Sequence, residues 1–515
     1  MFHNKGVRIT MIKILNLIDK IDFKKYQFQF FYILISCISL LYILKMAFAI
    51  EKKYCIFLAI IVLMIEIFYY FFLQKKVKQR IEIHKLYLIL IIGIGLLYIF
   101  AFPPSQIPDE TSDYLRSLEV SEMHLISVQK GKKVGRKFSR NIYKVFGSKS
   151  YDDYLENSDE KLVGKKDFMI FPNKSLYAFI CYIPQAIGIG IGRILKLPIV
   201  YQLLFGKLIN FSLFVVLTYL SIKYIPTKKN LLLLICMFPI TIQEATSLSA
   251  DCMTIATSIS LVSFIAWARN KKMIFKRKHY ISLFLLSVCL SLCKIVYLPI
   301  CFLTLLIPKE NFKNLKSKLF YCTILLLTVI MFNLIWLKIS SAYLIAFNDL
   351  RNSNSQVQLA YIITNPISYL VILFNTIDIN IYSYLEQMVG LYLGPLTIRT
   401  SSVFVILTLG LLVYFIAKKD TKKESELSNI EKMYALLIII GTTLLIFTSL
   451  YLQWTEVYAK VIDGVQGRYF IPLLPLIGLL FMTKNDKNNK INLFALTTMF
   501  LFNLLSIMTI FTTYI

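Results

Sequence analysis

The sequence predicts an all-α integral membrane protein, and three observations carry that prediction. Of its 515 residues 57% are hydrophobic and only 17% charged, which leaves too little polar side chain to cover a soluble chain of this length. Apolar runs, most of them about 17–25 residues long, recur from one end to the other, a length that crosses a bilayer as a helix with its backbone groups satisfied internally. The lysines and arginines behind the formal net charge of +28 gather in the short links between those runs. Such placement reports membrane topology rather than a nucleic-acid surface. The expected partner is therefore the lipid bilayer, and no nucleic acid.

Taken in order, the runs fall at 30–50, 54–73, 86–102, 201–222, 231–248, 252–268, 281–293, 295–307, 319–337, 401–417, 434–452, 470–482 and 491–511. That makes about thirteen spans. The first ~28 residues are basic but lack a cleavage site, so 30–50 reads as a first span rather than a signal peptide. Dense Lys/Arg links at 75–80, 223–229, 269–278, 309–318, 418–423 and 484–490 belong on the cytoplasmic side. With the amino terminus inside, alternation puts all of them there. The agreement requires that 175–195, which holds Pro184, Gln185, Gly188, Gly190 and Gly192, not cross. That stretch is expected as a juxtamembrane or re-entrant helix. The organisation that follows is a basic segment with two extra spans at 1–85, a module at 86–308 with a large outer loop at 103–174, and C-terminal spans at 309–515 with outer loops at 338–400 and 453–469.

The nine cysteines form no framework: Cys37, Cys236, Cys289, Cys293, Cys301 and Cys322 fall inside apolar runs, and no CxxC pair occurs. Neither a disulfide nor a zinc site is expected. The four histidines, His3, His84, His124 and His279, are too scattered for a metal cluster. What is unusual collects on the non-cytoplasmic face.

Pro103-Pro104-Ser105-Gln106-Ile107-Pro108-Asp109-Glu110 begins where the third run stops. Its prolines end the helix and stiffen the exit, and carboxylates at that depth cost free energy unless wetted, paired or used. One reading is an interfacial ion pair or a helix cap. The other is a general base, because a low-dielectric surface raises a carboxyl pKa toward the range useful for deprotonating a hydroxyl. Adjacent residues rarely point the same way on a helix, so Asp109 and Glu110 are expected to have different tasks. Asp251 ends a polar turn, as a helix N-cap or as a further acid of the site. Lys294 interrupts the apolar stretch 281–307, as a snorkelling lysine or a phosphate ligand. Arg468 lies in Gly464-Val465-Gln466-Gly467-Arg468-Tyr469, where glycines admit close approach to an anion and the guanidinium fork suits phosphate oxygens. An interfacial anchor is the alternative. Arg116, Gln466 and Tyr469 complete the candidate substrate-binding set. No Walker loop, Rossmann fingerprint or nucleophile elbow occurs. Nucleotide-activated donors are not supplied on that face, so an enzyme there needs a donor presented from the membrane. A lipid phosphate-sugar fits, with its tail among the helices, its phosphate on Lys and Arg, and its sugar facing the carboxylates.

The Pro103–Glu110 string with Tyr114 and Arg116 resembles the first motif of the DUF2142 family of predicted bacterial membrane proteins. Ser249-Ala250-Asp251, Cys293-Lys294-Ile295-Val296-Tyr297-Leu298-Pro299 and Gly464 through Pro472 resemble its later motifs, in order. Where the family usually has Pro-Asp-Glu-Pro-x-His, this chain has Thr111 for the proline and Asp113 for the histidine. The family in turn is similar to the GT-C superfamily of membrane glycosyltransferases. That resemblance implies a GT-C-like bundle with juxtamembrane helices in the outer loop, sited in the cell membrane with the amino terminus cytoplasmic and the active site outside. It implies a polyprenyl-phosphate-sugar donor, a cell-surface glycan acceptor and inversion at the anomeric centre. Asp109 would be general base, Glu110 and Asp251 orienting or metal-binding partners, and Lys294 and Arg468 ligands of the donor phosphate. The hard oxygens of Asp109, Glu110 and Asp251 would favour Mg²⁺ or Mn²⁺. The alternatives are a lipid-linked glycan transporter or flippase, suggested by the Gly/Pro-broken stretch 177–195, and a non-catalytic component of surface-polysaccharide assembly.

Overall fold

The computed structural model describes residues 32–39, 41, 52–78, 81–271, 273–418, 427–481 and 492–514. Most of the expected 30–50 span, most of the basic link 418–423 and all of 484–490 lie outside the described residues. The chain divides into two compact units, residues 1–80 with 491–501 and residues 81–490 with 502–515. In the first, the helix Lys52–Lys78 stacks Tyr69 on Phe500 with ring centroids 3.8 Å apart. The Tyr69 hydroxyl donates to the Leu496 carbonyl, and buried Glu66 accepts from the Ser39 hydroxyl.

Among the described residues of the whole chain, six helices are long and apolar enough to cross a membrane: Ile83–Ala101, Ile199–Tyr224, Asp251–Lys271, Leu315–Leu344, Asn429–Gln453 and Leu493–Tyr514. Ser355–Thr364 and Pro366–Val389, bent by 110°, make a seventh if the pair is one span. This count does not confirm the expected thirteen: run 30–50 lies mostly outside the described residues, run 54–73 forms the helix Lys52–Lys78, and the other differences have local reasons. Run 231–248 is cut by Pro239 into Lys229–Cys236 and Pro239–Ala245, both buried in protein, so its apolarity reports a core rather than lipid contact. Runs 295–307 and 470–482 break into short turns at Pro299, Pro472 and Pro475. Arg277–Cys293 and Ser402–Ala417, with 17 and 16 residues, lie at and just below the lower end of the ~17–25 that a span needs.

The stretch 338–400, expected as an outer loop, is largely helical. The helix Leu315–Arg351 runs on for 37 residues, Asn354 caps the next helix, and Pro366–Val389 follows. Asn375, Asp378 and Asn380 interrupt the apolar pattern there and hid a helix from hydropathy.

Burial separates core from periphery. The apolar window of Asp251–Lys271 is 89% buried, against 28% for Leu315–Leu344 and 33% for Asn429–Gln453, so the first is central and the other two turn most of their side chains outward. The helix Ile183–Ile194 is too short to cross alone and lies against Ile199–Tyr224. Glycine makes that contact possible: a Cβ added at Gly188 would sit 2.2 Å from the Phe205 carbonyl oxygen.

The loop after Ala101 is a folded cap. It holds the helix Glu110–Ser121, short helices Asn141–Phe146 and Tyr151–Glu156, and an antiparallel sheet of Val128–Lys130, Lys133–Ser139 and Lys166–Ile170 in register Val128↔Gly135 and Gly135↔Ile170. The sequence led us to expect helices there; the sheet was not anticipated. Tyr114, Leu118, Phe138, Phe146 and Phe171 form its core together with Leu203 and Leu248. The cap is thereby bonded to one end of the helix bundle.

Candidate active site

Phe102 leaves the Ile83–Ala101 helix in an extended conformation, and Pro103-Pro104 prevent its resumption. The chain then turns so that Asp109 precedes the Glu110–Ser121 helix at φ 62°, ψ 8°. This left-handed conformation is one that aspartate tolerates better than most residues. The Asp109 side chain does not cap the helix. It is half exposed and faces Lys174 Nζ at 3.3 Å and Asn173 Nδ2 at 3.5 Å. Asp113, one turn on and on the same helix face, is buried; it accepts from the Tyr182 hydroxyl at 2.9 Å and lies 3.1 Å from the same Lys174 Nζ. Lys174 thus sits between two carboxylates.

Glu110 points the other way. It is 2.7 Å from Lys207 Nζ on the Ile199–Tyr224 helix and accepts from the Ser105 backbone N–H at 2.9 Å. It is 2% exposed and paired away from Asp109, although a catalytic role beside Asp109 was expected of it. Its work is to fasten the proline loop to the bundle.

Asp251 starts the central helix and bridges two cations, Lys294 and Arg468, the latter through Nε at 3.3 Å. Arg468 Nη1 donates at 2.7 Å to Glu244, which is fully buried. Lys294 Nζ lies over the Tyr469 ring at 4.6 Å and the Tyr177 ring at 5.6 Å, a placement that stabilises an ammonium at low dielectric. The two clusters are neighbours electrostatically. Lys174, with help from Arg468, holds the Asp109 carboxyl below the usual carboxylate range against the opposing effects of burial and Asp251. Burial pushes the Asp113 carboxyl up to about 7, with Asp109 adding to the rise and Lys174 and Tyr182 opposing it. Burial alone would lower Lys174, but Asp109 and Asp113 outweigh it and hold its pKa well up.

A cavity of about 350 Å³ adjoins Lys294. Lys294, Tyr177 and Tyr469 form one part of its wall, and Trp336, Leu337 and Leu450, from the two outward-facing helices, form another. It is of the size that takes one small-molecule moiety or a segment of an acyl or prenyl chain.

Asp109, Asp251, Lys294, Arg468 and Tyr469, separated by hundreds of positions, are therefore brought together. Arg116 is not among them. It is fully buried in a clamp with Glu119 at 2.5 Å, the Leu125 carbonyl at 2.9 Å and, through Glu119, Arg136 at 2.8 Å. That clamp joins the cap helix to the sheet, so Arg116 is structural rather than substrate-binding. Gln466 precedes the turn that presents Arg468, and its buried Oε1 has no partner. Gly467 serves packing rather than anion approach: a Cβ there would lie 2.1 Å from the Tyr384 carbonyl oxygen. Nor do Asp109, Glu110 and Asp251 converge as metal ligands. Among the described residues no three His, Cys, Asp or Glu side chains are grouped to hold a metal, and each of these three carboxylates faces a lysine or arginine instead.

Sequence reasoning missed Lys174, Lys207 and Glu244, and gave Asp113 no role. Lys207 and Glu244 carried a usable signal, a charge inside an apolar run. Lys174 carried none, being one lysine among many in a basic loop.

A family model described as "Predicted membrane protein (DUF2142)" matches residues 90–477, more than half of the chain. No curated protein and no solved structure is matched.

Proposed function

The chain belongs to the DUF2142 family of predicted membrane proteins, and on that premise we propose that it is a glycosyltransferase that takes a sugar from a polyprenyl-phosphate donor. The acceptor would be a cell-surface glycan, and the site would open on the outer face of the cell membrane. The observation that carries this reading is the junction of an interhelical cavity with Lys294, next to Arg468, Asp251 and a half-exposed Asp109. A prenyl chain entering between the helices Leu315–Arg351 and Asn429–Gln453 would bring its phosphate to Lys294 and Arg468. Arg468 Nη1 is committed to Glu244, while Nε, 3.3 Å from Asp251, makes no hydrogen bond, so part of the fork remains for a phosphate oxygen.

The chemistry asks for two things: a base for the acceptor hydroxyl and stabilisation of the departing phosphate. Asp109 is anionic and accessible, and the acceptor oxygen, on losing its proton, attacks the anomeric carbon from the side opposite the phosphate. The anomeric C–O bond breaks with its electron pair passing to the phosphate, whose charge Lys294 and Arg468 neutralise. Attack opposite the leaving group inverts the anomeric centre. No step here is routed through a metal.

The test is reconstitution of the purified chain in vesicles with radiolabelled polyprenyl-phosphate hexoses and surface-glycan fragments as acceptors. Transfer of label to a glycan supports the proposal. Movement of intact labelled lipid between leaflets, with no label transferred, would instead favour a lipid-linked glycan transporter.

A further inference from the structure

The Asp109–Lys174–Asp113 series poses a chemical difficulty for the reading above. Lys174 holds Asp109 low, and a weakly basic carboxylate is a poor acceptor for a hydroxyl proton. The same ammonium, however, touches a second carboxylate, and that one is enclosed. Asp113 Oδ1 takes Tyr182 and Lys174, while its buried Oδ2 has no hydrogen-bond partner.

We infer that Asp113 is the proton's resting place: the proton that Asp109 removes passes through the Lys174 ammonium to Asp113. The inference rests on the transferase reading for the source of the proton, and on geometry alone for its route. The acceptor hydroxyl gives its proton to Asp109. Lys174 Nζ gives one of its three protons to Asp113 Oδ1 and takes the new one from Asp109 Oδ2. Asp109 ends as carboxylate and Lys174 as ammonium, and Asp113 is the one group changed, from carboxylate to acid. The acceptor oxygen keeps the electron pair for the new glycosidic bond. When product leaves, Asp113 returns its proton by the reverse route to water at the half-exposed Asp109.

Two features favour this direction. Burial makes Asp113 the better proton holder, at about 7, while Asp109 is held low, so the transfer runs toward the interior. Charge is also balanced at each end: Lys174 faces an anion at Asp109 after transfer, and the enclosed carboxyl is neutral, as its surroundings prefer. The charged or titratable groups facing Asp113 are Lys174 and Asp109 at one side and Tyr182 at the other. A purely structural Asp113, buried in the same way, would titrate too but would take up no proton during turnover.

Infrared difference spectroscopy of the purified full chain between about pH 5 and pH 9 tests the proton site, and the pH–rate profile tests the relay. The wild type should show a protonated carboxylic acid C=O band that titrates with a midpoint near 7. Asp113→Asn should abolish it, and Asp109→Asn should keep it with a lower midpoint, because the Asp109 charge raises Asp113. A band that survives Asp113→Asn, or no titration above about pH 5, overturns the inference. In the transfer assay Asp113→Asn should move the inflection of the pH–rate profile down by at least about one unit, a tenfold change at a pH below it. An unchanged profile overturns the relay while leaving the transferase reading intact. A wild type with the titrating band but no sugar transfer would sink the transferase reading and leave the paired proton site standing.

Discussion

Replacing Asp113 by asparagine should flatten the pH dependence of stability, by an amount that its surroundings set. Its carboxyl titrates at 3.8 in the unfolded chain and about 7 in the folded one, so the folded state binds the proton more tightly. The resulting stabilisation is complete below about pH 4, declines as pH rises and is lost above about pH 7. A span of ~3 units at 1.36 kcal/mol each is about 4 kcal/mol, a large share of the 5–15 kcal/mol typical of a folded domain. Asp109 has the opposite sign: its carboxyl is held low, so its contribution is present at neutral pH and fades as the solution is acidified. Asparagine preserves the volume of Asp113 and an oxygen for the Tyr182 hydroxyl, and Lys174, which loses one counter-ion, keeps Asp109 as the other. The assay is thermal unfolding of the detergent-solubilised protein across about pH 4.5–8.5, followed by the fluorescence of Trp267, Trp336 and Trp454. The wild type should lose stability between about pH 5 and pH 7.5, and the variant should hold steady. Parallel curves for the two proteins would refute the burial argument.

Other outcomes follow from the same contacts. Lys207→Met leaves the Glu110 carboxylate unpaired in a site 2% exposed and should cost about 3–5 kcal/mol; Lys207→Met with Glu110→Gln should recover most of it, read as folded yield after detergent extraction. Arg468→Ala should raise the KM for a polyprenyl-phosphate sugar more than the KM for the acceptor, and equal effects on both would count against a phosphate role. Leu337→Trp narrows the cavity beside Lys294 and should weaken use of long-chain donors more than of short-chain ones; equal loss for both would mean that the chain does not lie there. Arg116→Met should lower the melting temperature, since it takes from buried Glu119 one of its two arginine partners, without changing the donor KM of whatever folded protein remains.

Hydropathy made the membrane class legible because a composition of 57% hydrophobic residues admits few other solutions. It overcounted spans because burial in protein and burial in lipid select the same side chains. Residues 231–245 are as apolar as a span but lie inside the bundle, cut by Pro239. It undercounted helix in 366–389, where Asn375, Asp378 and Asn380 sit in an otherwise apolar helix. The site was legible where a charge stood out against its neighbours, as at Asp109, Asp251, Lys294 and Arg468. It was illegible where the partner came from a region already rich in charge. Lys174 and Asp113 acquire their meaning from the cap's three-dimensional fold, and Arg116, conspicuous behind the Pro-Asp-Glu string, proved to be part of the clamp that holds that fold. The left-handed turn at Asp109 explains why two consecutive acids separate, one to Lys174 and one to Lys207. Sequence predicted that separation without predicting its direction.

The central claim is that Asp109 takes the acceptor proton during sugar transfer, and one comparison tests it most directly. Wild type and Asp109→Asn, reconstituted at equal amounts and shown to be equally folded, are given the same labelled polyprenyl-phosphate hexose and glycan acceptor near pH 7.5. The account predicts transfer by the wild type and a loss in the variant of at least the ~100-fold that removal of a general base brings, with donor binding retained. Transfer by Asp109→Asn at the wild-type rate would contradict it.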